Sequence, residues 1–170
     1  MPKNKKKSPT KNNNAKSSPK IDSKLKDTSI AELNTVLKGE FMAIDSYGKF
    51  INKVNNQQIK TELQNIQSSH KKQAMNLSNR IKALGGNPAK GLGITGKTLE
   101  KLSGIKDIGR NSENHFIQKA YNGEKGGIKM VSEIVKGDLD KDSNSLINSM
   151  ISEDNTHLEA LKSLLYSEKS

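Results

Sequence analysis

Acidic residues and histidines interrupt four apolar helical stripes in this sequence. In the last stripe Asp154 and His157 lie three residues apart between Met150 and Leu161, so on a helix both side chains face the same way. Carboxylate and imidazole groups at this spacing are used by helical bundles to bind metal ions. The other three stripes are interrupted, about midway along, by Glu40, by Glu124, and by Gln67 together with His70.

The stripes predict four helices, at about residues 29–54, 57–84, 112–136 and 143–166. Ser29 and Glu32 have the form of a capping box, which predicts that the first helix begins there. Short polar breaks after the first and third helices predict two antiparallel hairpins, and residues 85–111 are long enough to form a crossover. An isolated charge in a core costs several kcal/mol, so the interrupting polar groups should converge at one level.

The two predicted hairpins look like copies of each other. Gly39-Glu40 matches Gly123-Glu124, and Gln67-x-x-His70 matches Asp154-x-x-His157, at offsets of 84 residues for the glutamates and 87 for the histidines. This arrangement resembles the ferritin-like superfamily of di-iron carboxylate bundles over about residues 29–166. Leu33-Asn34, the turn at residues 84–88 and Gly123-Glu124 are similar to a bacterial branch of ferritin-like proteins without an assigned function.

The resemblance implies an all-α fold, an antiparallel four-helix bundle of two repeated hairpins over residues 29–167. It also implies metal ligands: terminal carboxylates from Glu40 and Glu124, nitrogen ligands from His70 and His157, and a bridging carboxylate from Asp154. Gln67 occupies the other bridging position, where a neutral amide does not replace a carboxylate. Three carboxylates then stand where the family pattern has four, so either a weak two-metal site or a single-metal site is expected. Glu153 would either support the site or substitute for a ligand.

The metal-binding interpretation predicts iron chemistry, although manganese or zinc would also suit carboxylate and imidazole ligands. Oxidation of Fe(II) by oxygen or peroxide, a ferroxidase- or peroxidase-like activity, would serve iron handling or protection against oxidative stress. The alternative is a hydrogen-bonded core network without metal, inherited from a metal-binding ancestor. Tyr47 is interpreted as core packing and not as a redox relay, and His115 as a surface residue.

The net charge of +11 is concentrated at the N-terminus, where residues 1–26 contain nine lysines and one aspartate. Residues 1–28 are therefore predicted to be a disordered tail. The tail, Lys3 to Lys26, is either a solubilising leader or an electrostatic arm for DNA or another polyanion. A non-catalytic structural or binding protein, for example in the coat of a dormant cell, is the competing functional class.

Other features of the sequence limit the possibilities further. No apolar run is long enough to span a membrane, and no apolar segment of a secretory signal follows the first lysines. A cytoplasmic location is expected, either free or associated with a spore or the cell envelope. Polar outer helix faces indicate no cage, but a homo-oligomer such as a dimer stays open. Residues 91–98 match the Walker A spacing, although the helix predicted before them makes this match accidental.

Overall fold

The computed structural model describes residues 22–91 and 112–167, and all regular secondary structure in these ranges is helical. The four helices are α1 (Ser23–Ile51), α2 (Gln57–Ala83), α3 (Glu113–Val135) and α4 (Lys141–Ser167). They form a ferritin-like four-helix bundle, so the predicted all-α fold is confirmed.

Helix α1 begins earlier than predicted. Asp22 caps it by accepting a hydrogen bond from the backbone N–H of Lys24 at 2.8 Å. The predicted capping box at Ser29 is wrong, because Ser29 is buried inside the helix and its hydroxyl accepts a hydrogen bond from the backbone N–H of Asp140 at 2.9 Å. Residues 23–28, predicted to be disordered, are helical; the rest of the predicted tail, apart from Asp22, lies outside the described residues.

Helix α2 ends where the sequence predicts, at two glycines. Gly85 has a φ of 78°, which favours glycine, and its N–H donates to the carbonyl of Lys82 at 2.8 Å. The N–H of Gly86 donates to the carbonyl of Ile81 at 2.9 Å, which completes a Schellman motif. A Cβ on Gly86 would lie 2.7 Å from the side chain of Ile30, so the turn packs tightly against α1.

The contacts between helix ends fix the topology. Helix α1 packs against α2 and α3, and α4 packs against α3 and α2. Backbone N–H groups of Asn55 and Asn56, just after α1, donate to Glu113 at the start of α3. Arg80, near the end of α2, donates to Ser143 in the first turn of α4. The end of α2 and the start of α3 therefore lie at opposite ends of the bundle, as a crossover requires.

Two apolar clusters fill the core, one towards each end of the bundle. The first includes Leu33, Leu37, Leu77, Ile81 and Ile147, and the second includes Tyr47, Leu63, Ile66, Ile117 and Leu161. Between these clusters lie five of the interrupting polar residues, which form one buried polar layer: Glu40, His70, Glu124, Asp154 and His157. Except for Gly91, the Walker A-like segment lies outside the described residues, so its interpretation is not tested.

Candidate metal centre

His70 on α2 lies between two glutamates that come from different helices. Its Nδ1 is 2.8 Å from Oε2 of Glu40 on α1, and its Nε2 is 2.8 Å from Oε1 of Glu124 on α3. All three side chains are buried. The short turn between α1 and α2 sets Glu40 beside His70, as the predicted hairpin required.

The two glutamates determine the protonation of His70. Burial alone lowers the pKa of His70, but the hydrogen bonds to Glu124 and Glu40 outweigh it and raise the pKa to about 10. Burial alone raises the pKa of Glu124, but its contacts with His157, His70 and Tyr47 outweigh it and lower the pKa to about 2. Without metal, a protonated His70 therefore donates from both ring nitrogens to ionised carboxylates.

His157 and Asp154 extend this layer from α4. Nδ1 of His157 is 3.8 Å from Oε2 of Glu124 and 3.6 Å from Oδ1 of Asp154, and it makes no hydrogen bond. Burial raises the pKa of Asp154; despite a hydrogen bond from Gln73 that lowers it, the charges of Glu124 and Glu40 help to raise it to about 6. His157 and Asp154 are therefore less fully hydrogen-bonded within the layer than His70, whose two ring nitrogens each have a carboxylate partner.

Ligand atoms of His70, Glu124 and His157 all lie within 4.8 Å of one another, the spacing expected of residues that share one ion. Ligands held at about 2.1 Å from one ion are about 3 to 3.5 Å apart, close to the gaps around the Nδ1 of His157. This buried Nδ1, which has no hydrogen bond, is a donor that a cation would satisfy. The residues present therefore fit a single divalent ion.

Two of the predicted residues, Glu40 and Gln67, do not belong to this triad. Glu40 contacts the far nitrogen of His70, so it orients the ring; carboxylates often hold a metal-binding imidazole in this way. Gln67 lies apart from the layer, because its amide donates to the carbonyl of Ile44 at 2.8 Å and accepts from Lys71 at 2.9 Å. The structure therefore gives Gln67 a helix-packing contact in place of the bridging position.

Tyr47 takes part in the site, which the sequence interpretation missed. Its ring packs in the core, as predicted, but its hydroxyl donates to Oε1 of Glu124 at 2.7 Å. Burial and the charge of Glu124 raise the pKa of Tyr47 well above its usual range, so the hydroxyl remains a donor. A tyrosine two turns after Glu40 on the same stripe was the available signal.

Gln73 was missed entirely. Its side chain is 1% exposed, and its Nε2 donates to Oδ1 of Asp154 at 2.8 Å. Glu153 lies next to it, with Oε2 at 3.5 Å from the same nitrogen and Oε1 accepting from Ser69 at 2.6 Å. The signal available in the sequence was the position of Gln73, three residues after His70.

His115, predicted to lie on the surface, is half-buried against Phe116 in the first turn of α3.

A family model described as a domain of unknown function (DUF2383) matches residues 28–137, well over half of the chain. The chain belongs to the DUF2383 family. The matched range contains Glu40, His70 and Glu124 of this chain and ends before Asp154 and His157 on α4. No curated protein matches the sequence.

Solved structures show the ferritin-like fold of this DUF2383 chain. A ferritin-like, diiron-carboxylate protein from Bacillus anthracis is 22% identical, with a TM-score of 0.64, and the alignment covers 85% of this chain and 99% of that one. A dodecameric thioferritin, the bacterioferritin-related protein of Bacteroides fragilis, is 18% identical, with a TM-score of 0.68 and coverages of 85% and 88%.

A third similar structure is longer. It is a two-domain protein from Anabaena variabilis with DJ-1/ThiJ/PfpI-like and ferritin-like domains, 17% identical, with a TM-score of 0.69. The alignment covers 85% of this chain, which spans only 37% of that protein.

Among the residues that the structure describes, none of the helices is apolar enough over a sufficient length to cross a membrane.

Proposed function

We propose that this DUF2383 bundle binds a divalent transition-metal ion, iron above all, through His70, Glu124 and His157. The observation that carries the proposal is that three buried side chains from three helices offer ligand atoms within 4.8 Å of one another. Imidazole and carboxylate together suit iron, manganese and zinc. Similarity to a diiron-carboxylate protein supports iron among these ions.

The surrounding residues have separate tasks in this centre. Glu40 holds the ring of His70 through Nδ1, which directs Nε2 towards Glu124. Tyr47 fixes one oxygen of Glu124 by donating a hydrogen bond to it. Asp154 lies beside His157 and supplies a further negative charge. These residues would hold Fe(II) while oxygen or peroxide oxidises it to Fe(III), chemistry that would serve iron handling or protection against oxidative stress.

The test is the iron content of each chain after anaerobic loading with Fe(II) and desalting. The wild type should retain iron, and a Glu124→Ala, His157→Ala double variant should lose it, because two of the three ligands are gone. A Glu133→Ala, His115→Ala variant is the matched control, since it removes the same residue types away from the polar layer. No retained iron in the wild type, or equal retention in all three proteins, would contradict the proposal.

The lysine-rich N-terminus favours a second function, the binding of DNA or another polyanion. Seven lysines fall within residues 1–21, before the first helix begins. Lysines that neutralise phosphates release counterions, so retention on DNA should fall steeply with salt. A chain that starts at Asp22 keeps the cap of α1 and should lose DNA retention. Unchanged retention would contradict this function. The alternative, assembly into a coat, predicts no dependence on DNA.

We also propose that the bundle forms a homo-oligomer. The similar thioferritin is described as dodecameric. Met75 and Met130 are large apolar side chains that are 58% and 41% exposed here, and burial against a second copy would remove them from water. Light scattering after size-exclusion chromatography measures the mass directly, and a monomer at micromolar concentration would contradict the proposal.

A further inference from the structure

The side chain of Gln73 satisfies Asp154 with a neutral donor. Its Nε2 is 2.8 Å from Oδ1 of Asp154 and 3.5 Å from Oε2 of Glu153, while its own Oε1 has no hydrogen-bond partner. In this orientation the NH₂ group faces two carboxylates, and the reverse orientation would set three oxygens against one another. The amide nitrogen thus occupies the place between two carboxylates where a cation would otherwise lie.

The same oxygen of Asp154 faces both His157 and Gln73. Oδ1 is 3.6 Å from Nδ1 of His157, a member of the triad, and 2.8 Å from Nε2 of Gln73. A second ion bound to this oxygen in the place of Nε2 would have to displace the amide of a side chain that is 1% exposed. A buried N–H group that is moved away from its acceptor cannot form a replacement hydrogen bond with water, so its displacement would be costly.

The charges of the buried layer also favour one divalent ion over two. The layer contains three buried carboxylates, from Glu40, Glu124 and Asp154. With neutral imidazoles, two divalent ions would leave one positive charge in excess among these buried groups, which is expensive. Glu153, which also faces Gln73, is only half-buried and already accepts a hydrogen bond from Ser69. One divalent ion leaves one negative charge in excess, and two neutral donors, Tyr47 and Gln73, hydrogen-bond to this layer.

We propose that Gln73 limits this centre to one divalent ion, and that a carboxylate at position 73 would admit a second. This inference rests on the proposed function, since it assumes that the triad binds one ion. A glutamate there would bring the carboxylates of the layer to four and would remove the donor that holds Asp154. Pairs of metal ions in such sites lie about 3.5 to 4 Å apart and share bridging carboxylates.

Gln64 provides a matched control. It lies on α2, as Gln73 does, but its side chain is exposed, whereas the polar layer is buried. The change Gln64→Glu therefore adds the same charge on the same helix without facing Asp154. It should leave the number of bound ions unchanged.

The experiment titrates Mn(II) into wild type, Gln73→Glu and Gln64→Glu, and measures bound ions per chain together with the electron paramagnetic resonance spectrum. Wild type and Gln64→Glu should each bind one ion and give the spectrum of isolated Mn(II). Gln73→Glu should bind two and give the spectrum of an exchange-coupled pair.

Different results of this experiment contradict metal binding by the triad and the limit set by Gln73. No ion in the wild type overturns the proposed function and this inference with it. One ion in both wild type and Gln73→Glu, two in the wild type, or two in Gln64→Glu overturns the inference alone.

A fourth buried carboxylate will lower the stability of metal-free Gln73→Glu, so this protein is produced in Mn(II)-containing medium and its helicity is checked by circular dichroism. If it does not fold, Gln73→Asp replaces it, because the shorter side chain is easier to accommodate. Two ions per chain in that variant support the inference, and one overturns it.

Discussion

His70 connects the two hairpins through its two ring nitrogens. Glu40 belongs to the first hairpin and Glu124 to the second, and each lies 2.8 Å from a different nitrogen. Removing either carboxylate would leave a buried imidazole nitrogen without its partner. The same three residues therefore stabilise the metal-free bundle, and in the proposed metal centre the ion would take the place of the proton on Nε2.

Tyr47 gives the first residue-level prediction. Its hydroxyl donates to Glu124 at 2.7 Å, and Tyr47→Phe keeps the ring while removing this donor. Hydrogen bonds to charged groups contribute about 1.5 to 3 kcal/mol, so we expect the free energy of unfolding of metal-free protein to fall by about 2 kcal/mol. Urea unfolding at neutral pH, followed by circular dichroism, measures this difference.

Tyr166→Phe is the control for that prediction. The side chain of Tyr166 is 62% exposed, so its hydroxyl remains close to water and its loss should change the free energy of unfolding by less than about 0.5 kcal/mol. Equal effects of the two substitutions would show that the contact with Glu124 contributes no particular stability.

Residue spacing predicted the contacts that depend on backbone position and missed those that depend on side-chain reach. The hairpin turn sets Glu40 beside His70, and helix periodicity directs Asp154 and His157 to the same layer. Gln73 flanks the apolar seam at Ala74, where a polar residue is usually exposed, so its burial depends on how closely α4 approaches. That approach is a property of the packed bundle and not of one helix.

Among the helices, glycine substitutions should have opposite effects in two places. Gly85 ends α2 with a φ of 78°, which is strained for alanine, so Gly85→Ala should lower the free energy of unfolding by about 1 kcal/mol. Gly126 lies in an exposed part of α3, and a Cβ there would meet no atom within 4 Å. Gly126→Ala should therefore raise stability by about 0.5 to 1 kcal/mol. Urea midpoints measure both changes, and shifts of the same sign would contradict the prediction.

Asp140 gives a prediction about pH at the start of α4. Burial raises its pKa, but hydrogen bonds from Ser143, Ser29 and Arg80 outweigh burial and hold the pKa below its ordinary value. A carboxylate whose pKa is lower in the folded state contributes stability above its unfolded pKa of about 3.9, and this is lost as pH falls through the folded pKa. At pH 7, Asp140→Asn should cost about 3 kcal/mol, because it leaves the partly buried guanidinium of Arg80 with only the exposed Asp142 as a counter-charge.

Urea unfolding of wild type and Asp140→Asn between pH 7 and pH 3 measures this contribution. The difference should stay constant down to about pH 5 and shrink below about pH 4. Asp142→Asn is the control, because Asp142 contacts the same arginine at 3.3 Å but its side chain is 74% exposed; it should cost less than about 1 kcal/mol. A difference for Asp140→Asn that persists unchanged at pH 3 would contradict the ionic explanation.

The helices themselves were largely predictable from the sequence, and their ends less so. Glycines at 85 and 86 ended α2 as expected, because a left-handed backbone conformation selects glycine locally. The predicted start of α1 was wrong because Ser29 has the residue type of a cap but makes a contact with Asp140, which is distant in sequence. Local sequence does not distinguish these two uses of a hydroxyl.

At the scale of the whole molecule, the polar layer connects all four helices. Glu40, His70, Glu124 and His157 come from α1, α2, α3 and α4 respectively. Apolar clusters on both sides of the layer keep it out of water, so an ion bound there would be lost only when the helices separate. Ion binding should therefore be linked to unfolding of the entire bundle and not to one hairpin.

This linkage gives the last prediction. A ligand that binds only the folded state at 100 times its dissociation constant stabilises that state by about 2.7 kcal/mol. Mn(II) at that excess should raise the free energy of unfolding of the wild type by this amount, with a single transition by circular dichroism and by tyrosine fluorescence. The Glu124→Ala, His157→Ala variant should show no such increase, because it lacks two ligands, and Glu133→Ala, His115→Ala should respond as the wild type does. An equal increase in the ligand variant would indicate a non-specific cation effect, and different midpoints for the two probes would show that binding stabilises only part of the bundle.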